Sequence, residues 1–527
     1  MVVGRSATLS DARARAALEA RRFGVPPAMI EAATRRRSAG DWRGACAAAD
    51  VEIQFNPDAI RRVHGSRVAG RLLADLGSLA PDLLRWHLPR AAHGGGHLLG
   101  GLLIPLVSYA VDDGGARLTL AAATPRFALA AGQRIVLVVL EGDSRSRHVT
   151  KDCATRAVLD GVHRKTADRY SLLRHRMFWN AEDAPQLARL CVGLVDAAGA
   201  YADDAGAARE VTRLQDADQT EAAWSAAGID LVSGSTGDGL QRLTRWLCTV
   251  PVNLPTLVRH VRETMPGIEH AVIRPGGGTV ILHGLGRAGA RVSAEVAPVS
   301  AAQGLAVVPE AAWSRPVDAD LLRFGLLPPH ALHPLVGAAL SADAVESGRA
   351  VTDVDASPYH TVPGIESVGA YTPGSVAIRV HCGSEPHRIA WIDGSWQAVD
   401  HDERPTRETL LVRLGGHPNV CRGAVEYLST GRHVVDLLEP LLDHGRIDDA
   451  MRLLREQAGF SAAVAPESVG LPDGSTVGEA LDALRENTLR MRMYLSGALP
   501  TRDTRSARLP RPRRRRARKG DPARLHR

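Results

Sequence analysis

The chain has 527 residues, 45% of them hydrophobic and 23% charged, with 65 basic against 58 acidic side chains and a net charge of +7. That length and composition predict a soluble chain with room for two to four domains, and exclude collagen-like or low-complexity sequences. The charge is local, because residues 501–527 carry +10 and the preceding 500 residues carry −3.

Arginine outnumbers lysine 62 to three (Lys151, Lys165, Lys519), a bias expected of GC-rich coding, so no single arginine is read as chemistry. Six scattered cysteines without a CxxC pair read as reduced thiols. Residues 1–10 lack a basic start followed by an apolar core, and the apolar runs Leu102–Val111 and Ile135–Leu140 are too short to span a bilayer. The expected location is cytoplasmic.

In chain order, Asp11–Phe23, Pro27–Ser38, Trp42–Ala49 and Pro57–Gly77 are predicted helices, the last with Asn56 as cap and Pro57 in its first turn. Gly40 follows an arginine-rich last turn and predicts a helix stop; Asp41 then caps the next helix. Leu79–Leu88 is a short apolar segment closed by Pro89. Past the glycines at 94–96 the period becomes strand-like. Leu102–Val111 and Arg117–Ala123 predict a hairpin, with further strands at Arg134–Leu140 and Tyr170–Trp179 and a helix from Glu182 to about Val195. Ala197–Ala208 reads as a loop or frayed helix.

Between Gly239 and Met265 two helices are expected, broken at Pro251 and Pro255. A second hairpin follows at Ala271–Ile273 and Thr279–Leu282, with strands at Arg291–Val299 and Leu305–Val308. Pro328–Pro334 and Asp353–Pro363 read as connections. A third hairpin joins Ser375–His381 to Ile389–Ala398, where Trp391 and Trp396 would face opposite sides of one regular strand unless Gly394 turns the chain. Helices return over Asn419–Gln457 and Thr476–Leu495, although Pro440 would kink the first. Residues beyond Pro500 read as disordered.

The fold class is α+β: a helical region at 1–92, α+β regions at 98–235 and 239–415, a helical region at 419–499 and an arginine-rich tail at 500–527. The order Gly40-Asp41-Trp42-x-x-Ala45, with Pro57 downstream, resembles a tetratricopeptide-type hairpin, and His444-Gly445-Arg446-Ile447-x-x-Ala450 echoes it. The resemblance implies helical-hairpin surfaces for protein partners. Residues 35–90, above all Leu84–Arg90, resemble uncharacterised actinomycete proteins, which imply no activity.

The chemical candidates are few. His381, Cys382, His387, His417 and Cys421 form the densest His/Cys grouping, but their spacing matches no standard zinc site, and no metal or cofactor is expected. Thr279–Gly286 resembles the strand-then-His-Gly passage of α/β-hydrolases, yet no G-x-S-x-G elbow follows, since Glu366-Ser367-Val368-Gly369 lacks the leading glycine. Gly234–Gly239 lacks the Lys-Ser/Thr of a phosphate loop. The leading expectation is a non-enzymatic interaction or scaffold protein meeting another protein through Trp42, Ala45, Ala450 and Leu454. Its alternatives are nucleic-acid association through Arg511, Arg513, Arg514, Arg515, Arg516, Arg518 and Lys519, and an enzyme with an unrecognised hydrolase-like or metal-dependent site.

Overall fold

A computed structural model describes residues 11–91, 96–111, 117–124, 133–142, 167–195, 205–232, 246–275, 278–287, 289–340, 365–367, 377–382, 385–392, 395–398, 440–446 and 449–450, with single helical positions at 425, 479, 482 and 486. The architecture is α+β, with helices packed on two mixed sheets and a third, antiparallel sheet.

Helix α1 (Asp11–Glu19) runs into a π turn over Ala20–Gly24. Helices α2 (Pro27–Ser38) and α3 (Trp42–Ala48) form the expected hairpin. Gly40 sits at φ +76°, the left-handed conformation that glycine reaches cheaply. The Gly40 amide donates to the Arg37 carbonyl (2.9 Å) and the Asp41 amide to that of Arg36 (2.9 Å), the bond pair of a Schellman stop. The Asp41 carboxylate accepts from the Gly44 amide at 2.8 Å and lies 3.1 Å from Arg36 Nη1.

Gly44 is small for a reason, since a β-carbon there would lie 1.9 Å from Asp41 Oδ2 and 2.7 Å from Arg36 Nη1. Gly44→Ala therefore gains about 1 kcal/mol of helix propensity and loses about as much by evicting the cap. In a urea-denaturation double-mutant cycle, Asp41→Ala should be costly in the native background and close to neutral beside Gly44→Ala. Additive effects would show that Asp41 does not cap α3.

Asp50 (φ +53°) turns the chain into β1 (Val51–Ile53), three residues inside a stretch the sequence predicts to be wholly helical. Helix α4 (Pro57–Ser78) starts under Asn56, whose side chain accepts from the Asp58 amide, and is interrupted at Gly65 (φ +85°). Helix α5 (Pro81–His87) follows. The predicted hairpin is β2 (Leu103–Ala110) and β3 (Arg117–Ala123), continued by β4 (Ile135–Glu141). The sheet order is β1-β4-β3-β2, with β1 parallel to β4 and Val51 opposite Ile135, so residues 1–92 are not separate from the sheet that follows them.

Tyr170–Trp179 is not a strand. It meets extended chain only at its ends, where the Leu172 amide donates to the Pro105 carbonyl (2.8 Å) and Asn180 bridges to Leu79. Between them lie a turn and a 3₁₀ helix at Arg176–Phe178. The next helix is shorter than predicted, a 3₁₀ helix at Ala184–Leu190 with a proline in its first turn.

From Ala205 the stretch read as a loop or frayed helix enters helix α6 (Ala205–Asp216), which is followed by α7 (Thr220–Ala226) and β5 (Ile229–Val232), two elements the sequence reading did not anticipate. Helix α8 (Leu257–Thr264) begins after the two expected proline breaks. The second hairpin is β6 (His270–Ile273) and β7 (Val280–His283), with β8 (Val292–Val296) and β9 (Ala306–Val307). This sheet runs β5-β8-β7-β6-β9, and β5 is parallel to β8. Helices α9 (Glu310–Trp313), α10 (Val317–Arg323) and α11 (Pro334–Leu340) come next. Ala319, Leu332, Val336 and Leu340 from this stretch join the core of the first sheet.

The third sheet is the meander β10 (Ile365–Ser367), β11 (Ala377–Cys382), β12 (Glu385–Ile392) and β13 (Ser395–Ala398). Trp391 and Trp396 belong to neighbouring strands in direct register, so the chain does turn between them. The tail and most of 419–499 lie outside the described residues.

Candidate functional site: a buried seam of aspartates and histidines

The densest buried polar chemistry gathers where α1, α5 and the Arg176–Phe178 turn meet the segment from α8 to α11. Arg21, in the π turn, donates from Nε to Asp318 Oδ1 (2.9 Å) and from Nη2 to Asp318 Oδ2 (3.1 Å), a bidentate pair out of solvent. Trp86 Nε1 donates to the same carboxylate (3.0 Å), and the Arg21 guanidinium lies 4.8 Å over the Trp86 ring. Burial acts to raise the Asp318 pKa, but the charge and hydrogen bonds of Arg21, with His87 and Trp86, override it and hold the carboxyl below its usual range.

Beside this pair, Asp82 and His333 are both buried and 3.0 Å apart. The Leu335 amide donates to His333 Nδ1 (3.2 Å), so the ring proton sits on Nε2 and is donated to Asp82. A row of rings extends the seam: His87 lies 4.9 Å from Phe178, Phe178 lies 6.3 Å from His175, and His175 lies 5.0 Å from His260. The Nε2 atoms of His175 and His260 are 2.9 Å apart, so one donates to the other.

Burial disfavours the charged form of the three imidazoles in this row. It lowers the His175 pKa to about 3, assisted by His260, and the His260 pKa to about 4, assisted by Arg259. It lowers that of His87 to about 4 against the attraction of Asp318. The nearby Cys191 thiol is pushed up by burial and by Asp318 and Asp320, which makes it inert as a nucleophile. Burial likewise raises Cys46 to about 12.

This arrangement fastens elements together. His333 uses both ring nitrogens, and His87 donates Nδ1–H to the Leu83 carbonyl (3.1 Å). Among the described residues no group of three or more His, Cys, Asp or Glu is placed to hold a metal ion.

The residues singled out from sequence fall elsewhere. Ala45 and Ala450 are buried within the chain's own fold, which corrects their assignment as partner contacts, since a fully covered methyl group meets no partner. Trp42 is half-buried, with the Arg43 guanidinium 4.3 Å over its ring. Leu454, His417, Cys421, the Gly234–Gly239 loop and the basic run Arg511–Lys519 lie outside the described residues. In the third sheet Val380 stands opposite His387 and His381 opposite Pro386, so the two histidines occupy alternate register positions, which belong to opposite faces.

His283 stands in a strand antiparallel to both neighbours, unlike the parallel strands of an α/β-hydrolase, which removes that resemblance. Its Nδ1 meets His270 Nδ1 at 3.0 Å while Glu295 approaches Nε2 at 3.7 Å, so the three groups do not converge on one point. The sequence reading missed Arg21, Asp82, His175, His260, Asp318 and His333. Trp86 and His87 fell within Leu84–Arg90, the part of the chain it had marked as resembling other proteins. No local signal identifies the others, because their partners are 85, 251 and 297 positions away. No family model matches the chain, and no curated protein or solved structure gives a significant match.

Proposed function

We propose that the chain is a non-enzymatic protein-interaction or scaffold protein of the cytoplasm. The observation that supports this reading is the inward commitment of the seam, where Arg21, Trp86 and His333 all spend their donors on carboxylates of the same chain. Recognition then falls to the outer surface, and the half-buried Trp42 on the α2–α3 hairpin, with Arg43 stacked on it, is its best anchor. No helix among the described residues is long and apolar enough to cross a membrane.

The test is a complex reconstituted from purified components after capture from native lysate. Trp42→Glu should weaken it about ten-fold or more in a variant whose circular dichroism shows it still folded, since part of the Trp42 ring also packs on the core. Native-like affinity in this variant would sink the assignment to Trp42. Failure to find any saturable protein partner would sink the reading itself. The +10 charge of residues 501–527 favours a second reading, salt-dependent binding of nucleic acid. A deletion of 501–527 that binds nucleic acid unchanged at low salt would eliminate it.

A further inference from the structure

We infer that residues 27–195 and 205–323 are two copies of one module, fused in tandem and latched to each other, so that the chain is an internal dimer. This goes beyond the interaction reading and does not depend on it.

The first observation is a match without gaps. Helices α2 and α6 both have 12 residues, and α3 and α7 both have seven. Three residues separate the members of each pair, and two residues then lead into β1 or β5. Gly40 thus matches Asp218 (φ +55°), and Asp50 matches Gly228 (φ +76°), so the left-handed positions coincide. The Schellman bonds coincide too, the Gln219 amide donating to Leu214 (2.9 Å) as Asp41 does to Arg36. So does the first bond of the second helix, Ala45 to Asp41 and Ala223 to Gln219, both 2.9 Å. Thr34, Arg35, Ala39, Ala45, Ala48 and Ala49 are identical to Thr212, Arg213, Ala217, Ala223, Ala226 and Ala227.

The sheets repeat the scheme. In each, the strand after the hairpin pairs in parallel with the last strand of a later three-stranded antiparallel meander, giving β1-β4-β3-β2 and β5-β8-β7-β6. The entry bond is the same, Ile135 to the Asp50 carbonyl (3.2 Å) and Val292 to the Gly228 carbonyl (3.1 Å). A buried guanidinium or its counterpart from the intervening helix donates to the carbonyl just ahead of that last strand: Arg85 to Gln133 (2.8 Å), Arg262 to Ala290 (3.1 Å).

An isolated bridge then recurs with both its bonds. Leu79 faces Asn180, with Ala80 donating to the Trp179 carbonyl and Ala181 to that of Ser78. Val252 faces Ser314, with Asn253 donating to the Trp313 carbonyl and Arg315 to that of Pro251. Both tryptophans are buried, and each is followed by a seven-residue helix, Ala184–Leu190 or Val317–Arg323. Chance convergence would not reproduce the helix lengths, the handed turns, the crossed strand order and this bridge in one order.

The closing helices make the latches, and they are reciprocal. Asp318, on the closing helix of the second copy, accepts from Trp86 of the first copy and from Arg21 in the turn that precedes it. Leu190, ending the closing helix of the first, accepts from Asn253 Nδ2 (2.7 Å) of the second, and the Arg189 carbonyl accepts from Arg259 Nη2 (3.3 Å). His175 and His260 meet between them.

The experiment uses the full chain with a protease site placed between Val195 and Ala205. After cleavage the two pieces should co-migrate in size exclusion as one complex. Asp318→Ala with Asn253→Leu, which opens both latches, should weaken the association of the cut pieces at least ten-fold. Separation of the native pieces on cleavage, or an unchanged association in the double variant, would overturn the latches. A crystal structure in which 27–53 fails to superimpose on 205–231 residue for residue would overturn the duplication, whatever the variants do.

Discussion

Asp318→Ala should be the most damaging single polar substitution in the chain, costing about 3–5 kcal/mol. The change leaves the Arg21 charge buried without its bidentate partner and strips the Trp86 N–H of its acceptor. Neither group reaches solvent in compensation, because Arg21 and Trp86 are both covered. Removing the charge together with its partner is a different matter. In Arg21→Met with Asp318→Leu the ion pair gives way to apolar contact, and most of the loss should return, short of the roughly 1–3 kcal/mol for the orphaned indole N–H. Urea denaturation of the two single variants and the double variant decides the point. A loss below about 1 kcal/mol for Asp318→Ala would mean that the seam tolerates an open charge.

Acid should weaken the fold well above the range in which carboxylates titrate. His87, His175 and His260 have folded pKa values near 4, 3 and 4, all below the ordinary imidazole value. The unfolded chain therefore binds protons that the folded chain refuses. Stability from these groups is fully present above about pH 6.5 and is lost as pH falls toward 4, at up to about 1.4 kcal/mol per pH unit for each group. The nearby charges do not reverse the sign. Asp318 lies 4.0 Å from His87 and Glu263 lies 4.0 Å from His260, while Arg21 and Arg259 oppose protonation of the same two rings. Melting temperature measured from pH 7.5 to 4.5 should fall reversibly, and His175→Phe should make the fall shallower by removing one titrating ring. A flat profile over that range would show that protons reach these imidazoles freely in the folded state.

Much of the local structure is legible in the sequence, and the reasons are local. Pro27, Gly40, Asp41 and Asn56 announce helix ends because each satisfies or terminates a hydrogen-bond ladder by its own chemistry. The β2–β3 and β6–β7 hairpins are legible from apolar runs around turn residues. What resists reading is long-range. Val51–Ile53 becomes a strand only because β4 lies beside it, and α6 was obscured by the small, acidic residues leading into it. The seam is invisible in sequence for the same cause. Asp318 and His333 look like ordinary polar residues until Arg21 and Asp82 are brought to them. The repeated hairpin was half-legible: Gly445 (φ +69°) closes its turn with the same bonds as Gly40, but the second copy hides behind Asp218, which adopts the left-handed conformation without being glycine.

The Arg21–Asp318 pair also sets a clock on synthesis. Its members are 297 positions apart, and a ribosome adding roughly 5–20 residues per second needs about 15–60 s to travel from one to the other. Through that interval the N-terminal half can close β1 on β4, but it carries an arginine and a tryptophan N–H whose acceptor has not yet been made. The half-made chain must keep this face wet or covered until α10 arrives. A nascent chain stalled before Asp318 thus holds the Arg21 and Trp86 donors without the carboxylate that joins them in the finished fold.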